Sequence, residues 1–201
     1  MTGNKKLDKI FLEAKGPILV YGEAGVGKTN LALHVARLLS IQGKNVLYIN
    51  TEGWAYKGRV CRLNGLDNVV FIDISDFWIQ TLLIVSKLPS TYNRFRAIIV
   101  DTINNLFRIE ESLEAATRAL SAQMATLHLI SSESNVLVLV LGQVRAYEGN
   151  EEISGSTYIR FWSTTILRIE KANGYRLIVL EKPRKEIRLK FKINDKGIVW
   201  V

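Results

Sequence analysis

A glycine-rich segment near the N-terminus carries the clearest chemical signal in the chain. Residues 22–29 read Gly-Glu-Ala-Gly-Val-Gly-Lys-Thr, after an apolar run and before an amphipathic one. Strand, glycine-rich turn and helix in this order form a phosphate-binding loop (P-loop), in which backbone N–H groups and the positive end of the helix face a polyphosphate. Lys28 is expected to reach the β- and γ-phosphates, and the Thr29 hydroxyl to bind Mg²⁺. The predicted nucleotide-binding residues of this segment are Gly22, Glu23, Ala24, Gly25, Val26, Gly27, Lys28, Thr29 and Asn30.

Three polar side chains follow or close other apolar runs. Asp101 closes the run over residues 96–101, and Glu52 and Gln143 follow two further runs. Ligands of open α/β sheets bind at the carboxyl ends of the strands, so these side chains can meet the P-loop. We expect Asp101 to hold Mg²⁺ through its water shell, Glu52 to polarise an attacking water and Gln143 to hydrogen-bond the γ-phosphate. A helix N-cap is the alternative for Asp101, and the other two are weak indications when taken singly.

Length and composition favour a single domain over residues 1–201. Hydrophobic residues make up 48% of the chain and charged residues 23%, which are ordinary globular values. No apolar run is long enough to span a bilayer, and residues 1–15 lack the apolar core of a signal peptide. The single cysteine, Cys61, excludes an internal disulfide and suits a reducing compartment. These features predict a cytoplasmic protein without membrane association.

The net charge of +8 is unevenly distributed. Acidic residues exceed basic ones over residues 101–150, whereas basic residues exceed acidic ones over residues 171–196. Within the basic stretch, Arg188, Lys190 and Lys192 alternate with apolar residues, so a strand there places the three cations on one face. Such a row could follow nucleic-acid phosphates without reading sequence. An ordinary half-exposed strand on a solvated, lysine-rich surface is the alternative.

The spacing of apolar residues predicts the elements that position these side chains. Strands alternate with helices as far as residue 141, which predicts an α/β fold with a mostly parallel central sheet flanked by helices. Residues 77–88 are predicted as one helix, and the strand over residues 135–141 is predicted to end at Gly142-Gln143. After Ser163, four strands are separated only by turns, which predicts a C-terminal antiparallel meander.

Taken together, these motifs resemble the RecA/RadA recombinase core. The resemblance is carried, at these intervals, by residues 22–29, Tyr48–Gly53, Ala97–Thr102 and Gly142–Val144. It is to the short archaeal RadA paralogues of RadB and RadC type in particular, and it runs from about Gly16 to the C-terminus. It implies a RecA-type P-loop NTPase fold, with ATP and Mg²⁺ as cofactors.

The resemblance also implies roles for individual residues. In the family, the glutamate matching Glu52 activates water, and the glutamine matching Gln143 couples the γ-phosphate to the DNA-binding loops. Arg59 falls where the family often has an arginine beside the adenine, although a solvent-facing helix arginine is the alternative. Lys182 and Arg184 fall where relatives carry a Lys-x-Arg finger that reaches the nucleotide of a neighbouring subunit. Two solvated bases at a strand end are the alternative for that pair.

The chain also departs from the pattern of a full recombinase. About twenty residues precede the P-loop, so the N-terminal helical DNA-binding domain and the polymerisation linker are expected to be missing. The first DNA-binding loop, at residues 107–112, and the second, at residues 144–153, are short and acidic. Carboxylates near a phosphate backbone weaken binding, so autonomous strand exchange is not expected. The row of Arg188, Lys190 and Lys192 is the better candidate for contacting single-stranded DNA.

The function predicted from the sequence is a slow, DNA-associated ATPase. It binds ATP·Mg²⁺ and single-stranded DNA, and it modulates homologous recombination and DNA repair. The expected partners are the main recombinase RadA or another repair protein, together with further copies of the chain in a homo-oligomer. Two alternatives remain: an adaptor that keeps ATP as a structural ligand, and a KaiC-like signalling ATPase without a DNA role.

Overall fold

A single mixed sheet organises the molecule. The computed structural model describes residues 1–147, 150–184, 186–194 and 197–201. The strands of this part are β1 (Ile18–Gly22), β2 (Val46–Asn50), β3 (Val69–Asp73), β4 (Ala97–Asp101), β5 (Leu137–Tyr147), β6 (Asn150–Ile153), β7 (Thr165–Ala172), β8 (Tyr175–Lys182), β9 (Arg188–Asn194) and β10 (Gly197–Trp200). Their order is β10-β9-β8-β7-β1-β5-β4-β2-β3, and β6 pairs with β5 alone. Strands β7, β1, β5, β4, β2 and β3 are parallel, whereas β8, β9 and β10 continue the sheet antiparallel.

Helices cover both faces of the parallel half of the sheet. They are α1 (Lys5–Glu13), α2 (Lys28–Ile41), α3 (Lys57–Val60), α4 (Phe77–Thr81), α5 (Leu113–Glu133) and α6 (Ser156–Trp162). Side chains of α1 and α2 pack in one core, and those of α4, α5 and α6 pack in the other. Alternate residues of β1 enter the two cores, which explains why the strand is apolar throughout. None of the described helices combines the length and the apolar character needed to cross a membrane.

The parallel strands define two edges of the sheet. We call the edge at their carboxyl ends the P-loop edge, because Gly22, Asn50 and Asp101 lie there. The amino ends of β1, β4 and β7 lie at the opposite edge. Since β8 runs antiparallel to β7, its last residue, Lys182, pairs with Ile166 at the opposite edge. This geometry separates the two candidate groups of the sequence, the P-loop residues and the Lys-x-Arg finger.

The predicted α/β architecture with its C-terminal meander is confirmed, and residues 77–88 are helical as predicted, although they do not form one α-helix. The α-helix ends at Thr81, residues 82–87 form a π-helix, and a 3₁₀ turn follows at Leu88–Ser90. The wider turn begins after the buried Gln80, whose amide donates 2.8 Å to Gln123 Oε1. Apolar spacing does not distinguish these helix types over so short a stretch.

The stretch around the predicted second loop also differs from expectation. Strand β5 does not end at Gly142-Gln143 but runs on to Tyr147 and pairs antiparallel with β6. Val144 and Ile153 are both buried and pair with each other in this hairpin. The acidic residues of the segment interrupt the apolar pattern from which a strand would be predicted. Glu148 and Gly149, which belong to the predicted loop, lie outside the described residues. Helix α6, which follows the hairpin, was not predicted because it is only seven residues long.

Candidate nucleotide site

The P-loop takes a tight path between β1 and α2. Gly27 has φ of 107°, and a Cβ there would lie 2.7 Å from Ile193 Cδ1. A Cβ at Gly22 would lie 2.3 Å from the Ile169 carbonyl oxygen. The close approach of β7 and β9 therefore requires glycine at both positions.

A cavity of about 280 Å³ lies in front of the loop. It brings together nine of the predicted site residues: Ala24, Gly25, Gly27, Lys28, Thr29, Asn30, Glu52, Arg59 and Gln143. Asn105, which the sequence did not single out, also lines it. A second cavity of about 290 Å³ shares Asn30 and Arg59 with the first and continues between α2 and the end of β9.

The Asp101 carboxylate is buried close to Thr29 and Lys28, two residues that line this cavity. The Tyr48 hydroxyl, itself fully buried, donates a hydrogen bond of 2.6 Å to Asp101 Oδ2. Within the described residues, the buried Oδ1 has no hydrogen-bond partner. Burial, reinforced by the negative charge of Glu52, raises the pKa of Asp101 to about 6, although the hydroxyls of Tyr48 and Thr29 and the Lys28 ammonium oppose this rise. A carboxylate oxygen without a partner is a costly group in a folded core, and it points to a ligand.

Lys28 provides a positive charge close to Asp101. The residue is only 6% exposed, and its ammonium donates 2.8 Å hydrogen bonds to the carbonyl oxygens of Gly22 and Glu23. Burial lowers the pKa of Lys28, and the charges of Glu52 and Asp101 oppose that shift. A bound anion would therefore meet a cation already held across the loop, and it would further favour the charged form.

The donor set also limits which metal could bind. Among the described residues, no three His, Cys, Asp or Glu side chains cluster at ligand distance. The oxygens that the sequence assigned to a metal are those of the Thr29 hydroxyl, which lines the cavity, and of Asp101, whose Oδ1 has no hydrogen-bond partner within the described residues. A site with so few protein oxygens suits Mg²⁺, which keeps several waters and takes its other ligands from substrate phosphates.

A polar network that sequence reasoning missed ties the strand ends together. The Thr51 hydroxyl accepts the Thr102 N–H at 2.9 Å and donates to the Thr102 carbonyl at 2.7 Å. Asn105 Nδ2 donates 2.7 Å to the Thr51 carbonyl, which links the end of β2 to the segment after β4. Asn104 donates 2.9 Å to the Gln143 carbonyl and accepts its N–H at 3.1 Å. These bonds fix Gln143 relative to β2 and β4.

A second polar cluster fixes the segment that carries Glu52. Asn50 Oδ1 accepts the Glu52 N–H at 3.2 Å, and Asn50 Nδ2 donates 2.8 Å to Asp73 Oδ1. The Tyr56 hydroxyl donates 2.7 Å to the same oxygen, and the Lys57 ammonium lies 3.1 Å from Asp73 Oδ2. Burial is the largest single influence and raises the pKa of Asp73, but these hydrogen bonds and the Lys57 charge together hold that pKa below its usual value. Asp73 is thus the anchor of the Glu52 segment.

The remaining predicted residues lie away from the cavity. Lys182 donates 2.7 Å to the Ser163 carbonyl at the opposite edge, and Arg184 is exposed beyond the end of β8. Arg188, Lys190 and Lys192 are all exposed along β9, as the alternation predicted. The structure therefore does not bring either group to the P-loop of its own chain.

The residues that sequence reasoning missed differ in how clearly the sequence indicates them. Tyr48 stands in an otherwise apolar, buried strand, where a tyrosine hydroxyl needs a partner, so a search for that partner could have found Asp101. Asn104 and Asn105 lie one residue beyond the Asp101-Thr102 motif, but nothing in their spacing shows which carbonyls they meet. The cis peptide bond between Asp101 and Thr102 has no signature in the sequence.

The raised pKa of Asp101 makes a stability prediction for the protein without metal or nucleotide. Because the folded pKa of about 6 exceeds the unfolded value of about 3.9, the folded state loses stability as pH rises from about 4 to about 6. Above pH 6 the ionised carboxylate costs about 3 kcal/mol. Asp101→Asn should therefore be more stable than the natural chain by up to about 3 kcal/mol at pH 7.5, and equal near pH 4. Urea unfolding with a chelator at each pH measures this difference.

Asp73→Asn is the matched control, because the pKa of Asp73 is lowered rather than raised. This variant should lose stability relative to the natural chain above about pH 4. Parallel pH profiles for the natural chain and Asp101→Asn would contradict the buried, unneutralised state of Asp101.

Comparisons with known proteins agree with this geometry. The Rad51 family model matches residues 1–200. The DNA repair and recombination protein RadB of Methanocaldococcus jannaschii is 34% identical over 192 residues, covering 89% of this chain and 90% of the relative. The RadB of Thermococcus kodakarensis is 29% identical over 217 residues, covering 98% and 97%. A crystal structure of the RadB recombinase superposes with a TM-score of 0.79 at 30% identity, covering 98% of this chain and 97% of that one.

These matches confirm the RecA-type fold and the resemblance to archaeal recombinase paralogues that the motifs indicated. They span nearly the whole chain rather than the P-loop alone. The chain therefore belongs to the Rad51 family of DNA repair and recombination proteins.

Proposed function

We propose that this chain is a single-domain paralogue that binds ATP·Mg²⁺, hydrolyses it slowly, and modulates homologous recombination on single-stranded DNA. The observation that carries the nucleotide part is the pairing of a buried cation, Lys28, which lines the cavity, with a buried acid, Asp101, which lies close to Lys28 and Thr29. A polyphosphate satisfies the first and a hydrated divalent cation satisfies the second. The polyphosphate and the divalent cation would also neutralise each other's charge, in a buried site where water solvates isolated charges poorly.

Each residue of the cavity has a distinct role in this proposal. The Lys28 ammonium exchanges its two carbonyl partners for the β- and γ-phosphates, and the amides of the P-loop face the same oxygens. The Thr29 hydroxyl and Asp101 Oδ1 hold Mg²⁺, directly and through water. When bound, the metal ion neutralises charge on the phosphates. The second cavity, beside Arg59, offers room for the base and the ribose.

Glu52 is the general base of the proposed hydrolysis. Its carboxylate lines the cavity, and its segment is held by Asn50 and Asp73, so it can accept a proton from a water aimed at the γ-phosphorus. Gln143 lines the same cavity and hydrogen-bonds the γ-phosphate while that phosphate is present. Since Asn104 clamps the Gln143 backbone, loss of the phosphate is communicated to β5 and its hairpin.

The proposed slow rate of ATP hydrolysis depends on which cationic side chains can reach the nucleotide site of their own chain. Phosphoryl transfer gains most from a cation placed against the developing charge, and Lys182 and Arg184 lie at the opposite edge. We assign these two residues to the nucleotide of a neighbouring copy, with Arg184 as the exposed member of the pair. Hydrolysis by the isolated chain then lacks this contribution.

Glu52→Gln tests the hydrolytic proposal. The variant should retain a labelled ATP analogue with unchanged affinity, because the amide keeps the shape of the side chain, and turnover should fall by roughly a hundredfold or more. Phosphate release and analogue binding are measured on the same preparation. Glu133→Gln is the matched control, since Glu133 is an exposed glutamate at the end of α5, outside the cavity lining, and should leave turnover unchanged. Equal turnover in both variants would favour the adaptor alternative, in which ATP is a structural ligand.

The DNA part of the proposal is supported by the open face of the meander. Arg188, Lys190 and Lys192 project from one face of β9, and the residues paired beside them on β8, Leu177 and Val179, are only partly buried. Helices cover the parallel half of the sheet on this side but leave these side chains exposed. A row of cations on an open face supplies sequence-independent phosphate contacts.

Reversing this row to Arg188→Glu, Lys190→Glu and Lys192→Glu should weaken binding of single-stranded DNA at every sequence tested. The slope of log affinity against log salt should fall by about 2, because three phosphate contacts are lost. Fluorescence anisotropy across salt concentrations measures both. A triple reversal of Lys44, Lys87 and Arg94, which are exposed elsewhere and change the net charge equally, is the control. Equal DNA binding by the two triple variants would favour the signalling alternative without a DNA role.

A further inference from the structure

The second cavity beside the nucleotide site is lined by several basic side chains. It has a volume of about 290 Å³, and its lining includes the imidazole of His34 and the guanidinium groups of Arg37, Arg59 and Arg62. No aspartate or glutamate is among the described residues that line it. We call this space the arginine cavity.

Two helical segments supply the basic side chains of the arginine cavity. On α2, His34 and Arg37 follow Asn30 at helical spacing, so the three residues share one face of the helix. Arg59 lies on α3, and Arg62 lies in the turn that follows, where its N–H donates 3.1 Å to the Arg59 carbonyl. The end of β9 and the start of β10 complete the lining. The cavity therefore lies between two segments that both present cations to it.

The three arginines of the cavity lack the acidic partners that other arginines of the chain have. Within the described residues, none of the three forms an ion pair. In contrast, Arg118, Arg160 and Arg168 each pair with a glutamate. Arg37 Nε donates 2.7 Å to the Asn64 carbonyl, which orients the side chain without neutralising its charge. The positive charge around the cavity is thus not compensated by carboxylates of the described part of the chain.

His34 is affected by the same positive charge. Burial is the main cause that lowers the pKa of His34, and the charges of Arg37 and of the N-terminal ammonium lower it further. The hydrogen bond to the Thr2 carbonyl and the charge of Asp8 oppose this shift without cancelling it. An anion bound in the cavity would favour the charged form of every basic group that lines it.

The chemistry of the cavity indicates which anion this is. An uncharged base and ribose would leave three guanidinium groups uncompensated, and in the proposed function the triphosphate is held by Lys28 and the P-loop in the first cavity. Guanidinium groups bind phosphate oxygens through charge-assisted hydrogen bonds, often two at a time. Dinucleotide-binding folds use an arginine in the same way to accept a phosphate on the ribose. A phosphate group is therefore the ligand that matches the lining.

We propose that the arginine cavity binds a phosphate group that is distinct from those held by the P-loop, with Arg37 and Arg62 as its main contacts. The phosphate is carried by the ribose of the bound nucleotide or enters as a free anion beside it. This inference rests on the proposed nucleotide site, because the two cavities share Asn30 and Arg59. It adds a second recognition element, which selects among nucleotides by a group that ATP lacks.

Isothermal titration calorimetry of the full chain with ADP and with 3′-phosphorylated ADP tests the inference, because the two probes differ by one phosphate group. The natural chain should bind the 3′-phosphorylated probe on the order of tenfold more tightly or better, since the added phosphate gains charge-assisted hydrogen bonds. The double variant Arg37→Gln, Arg62→Gln should lose this preference while it binds ADP like the natural chain. Retained ADP binding also shows that the variant is folded.

The double variant Arg94→Gln, Arg118→Gln is the matched control. Both arginines are exposed and line neither cavity, and the variant loses the same charge, so it should keep the preference of the natural chain. Persistence of the preference in Arg37→Gln, Arg62→Gln would overturn the inference, because the gain would then not arise in the arginine cavity.

A titration of ADP in the presence of inorganic phosphate distinguishes the two sources of the anion. If a free anion is the occupant, inorganic phosphate should tighten ADP binding by the natural chain but not by Arg37→Gln, Arg62→Gln. If the phosphate belongs to the nucleotide, only the 3′-phosphorylated probe should gain affinity. Binding of ADP with no preference and no response to inorganic phosphate would overturn this inference alone. A chain that binds neither probe would contradict the proposed nucleotide site together with it.

Discussion

The structure depends on a buried carboxylate, one of whose two oxygens has no hydrogen-bond partner within the described residues. Asp101 closes a fully buried strand, and the Tyr48 hydroxyl donates a hydrogen bond to its Oδ2. Ionising such a group without a ligand costs free energy, which is why its pKa is raised. In the proposed function this cost is offset by ligands. The carboxylate lies beside Thr29 and Lys28, where a hydrated cation and a polyphosphate can together neutralise the charges of the site.

The polar networks around Asp101 explain how the site keeps its shape without a ligand. Thr51 and Asn105 join the end of β2 to the segment after β4, and Asn104 joins that segment to β5. Each bond lies between strand ends rather than within a strand, so the parallel sheet alone would not fix these positions. These bonds are buried or partly buried, so in the proposed function a change at the γ-phosphate would move backbone as well as side chains. Gln143, whose peptide group is held by Asn104, is the residue through which we propose that such a change reaches the β5–β6 hairpin.

The sequence predicted the positions of the candidate site residues better than the contacts that hold them in place. Lys28, Thr29, Glu52 and Gln143 could be placed at one edge because parallel strands end together, a rule that needs only the strand pattern. The buried strands and the exposed face of β9 could also be predicted. A continuous apolar run indicates a strand buried on both faces, whereas alternation of apolar and polar residues indicates a half-exposed strand. Asn104 and Asn105 were not, because an asparagine amide can bond any nearby backbone group and its partner depends on tertiary contacts. The β5–β6 hairpin was missed for a related reason, as its pairing rests on Val144 and Ile153 amid acidic residues.

The most direct measurement is equilibrium binding of a labelled, non-hydrolysable ATP analogue with and without Mg²⁺, for the natural chain, Asp101→Asn and Lys28→Ala. Mg²⁺ should tighten binding by the natural chain on the order of tenfold or more. Asp101→Asn should lose that response while binding the metal-free analogue at least as well, and Lys28→Ala should lose binding under both conditions. An equal Mg²⁺ response in Asp101→Asn, or retention of the analogue by Lys28→Ala, would contradict the role assigned to the buried acid and cation.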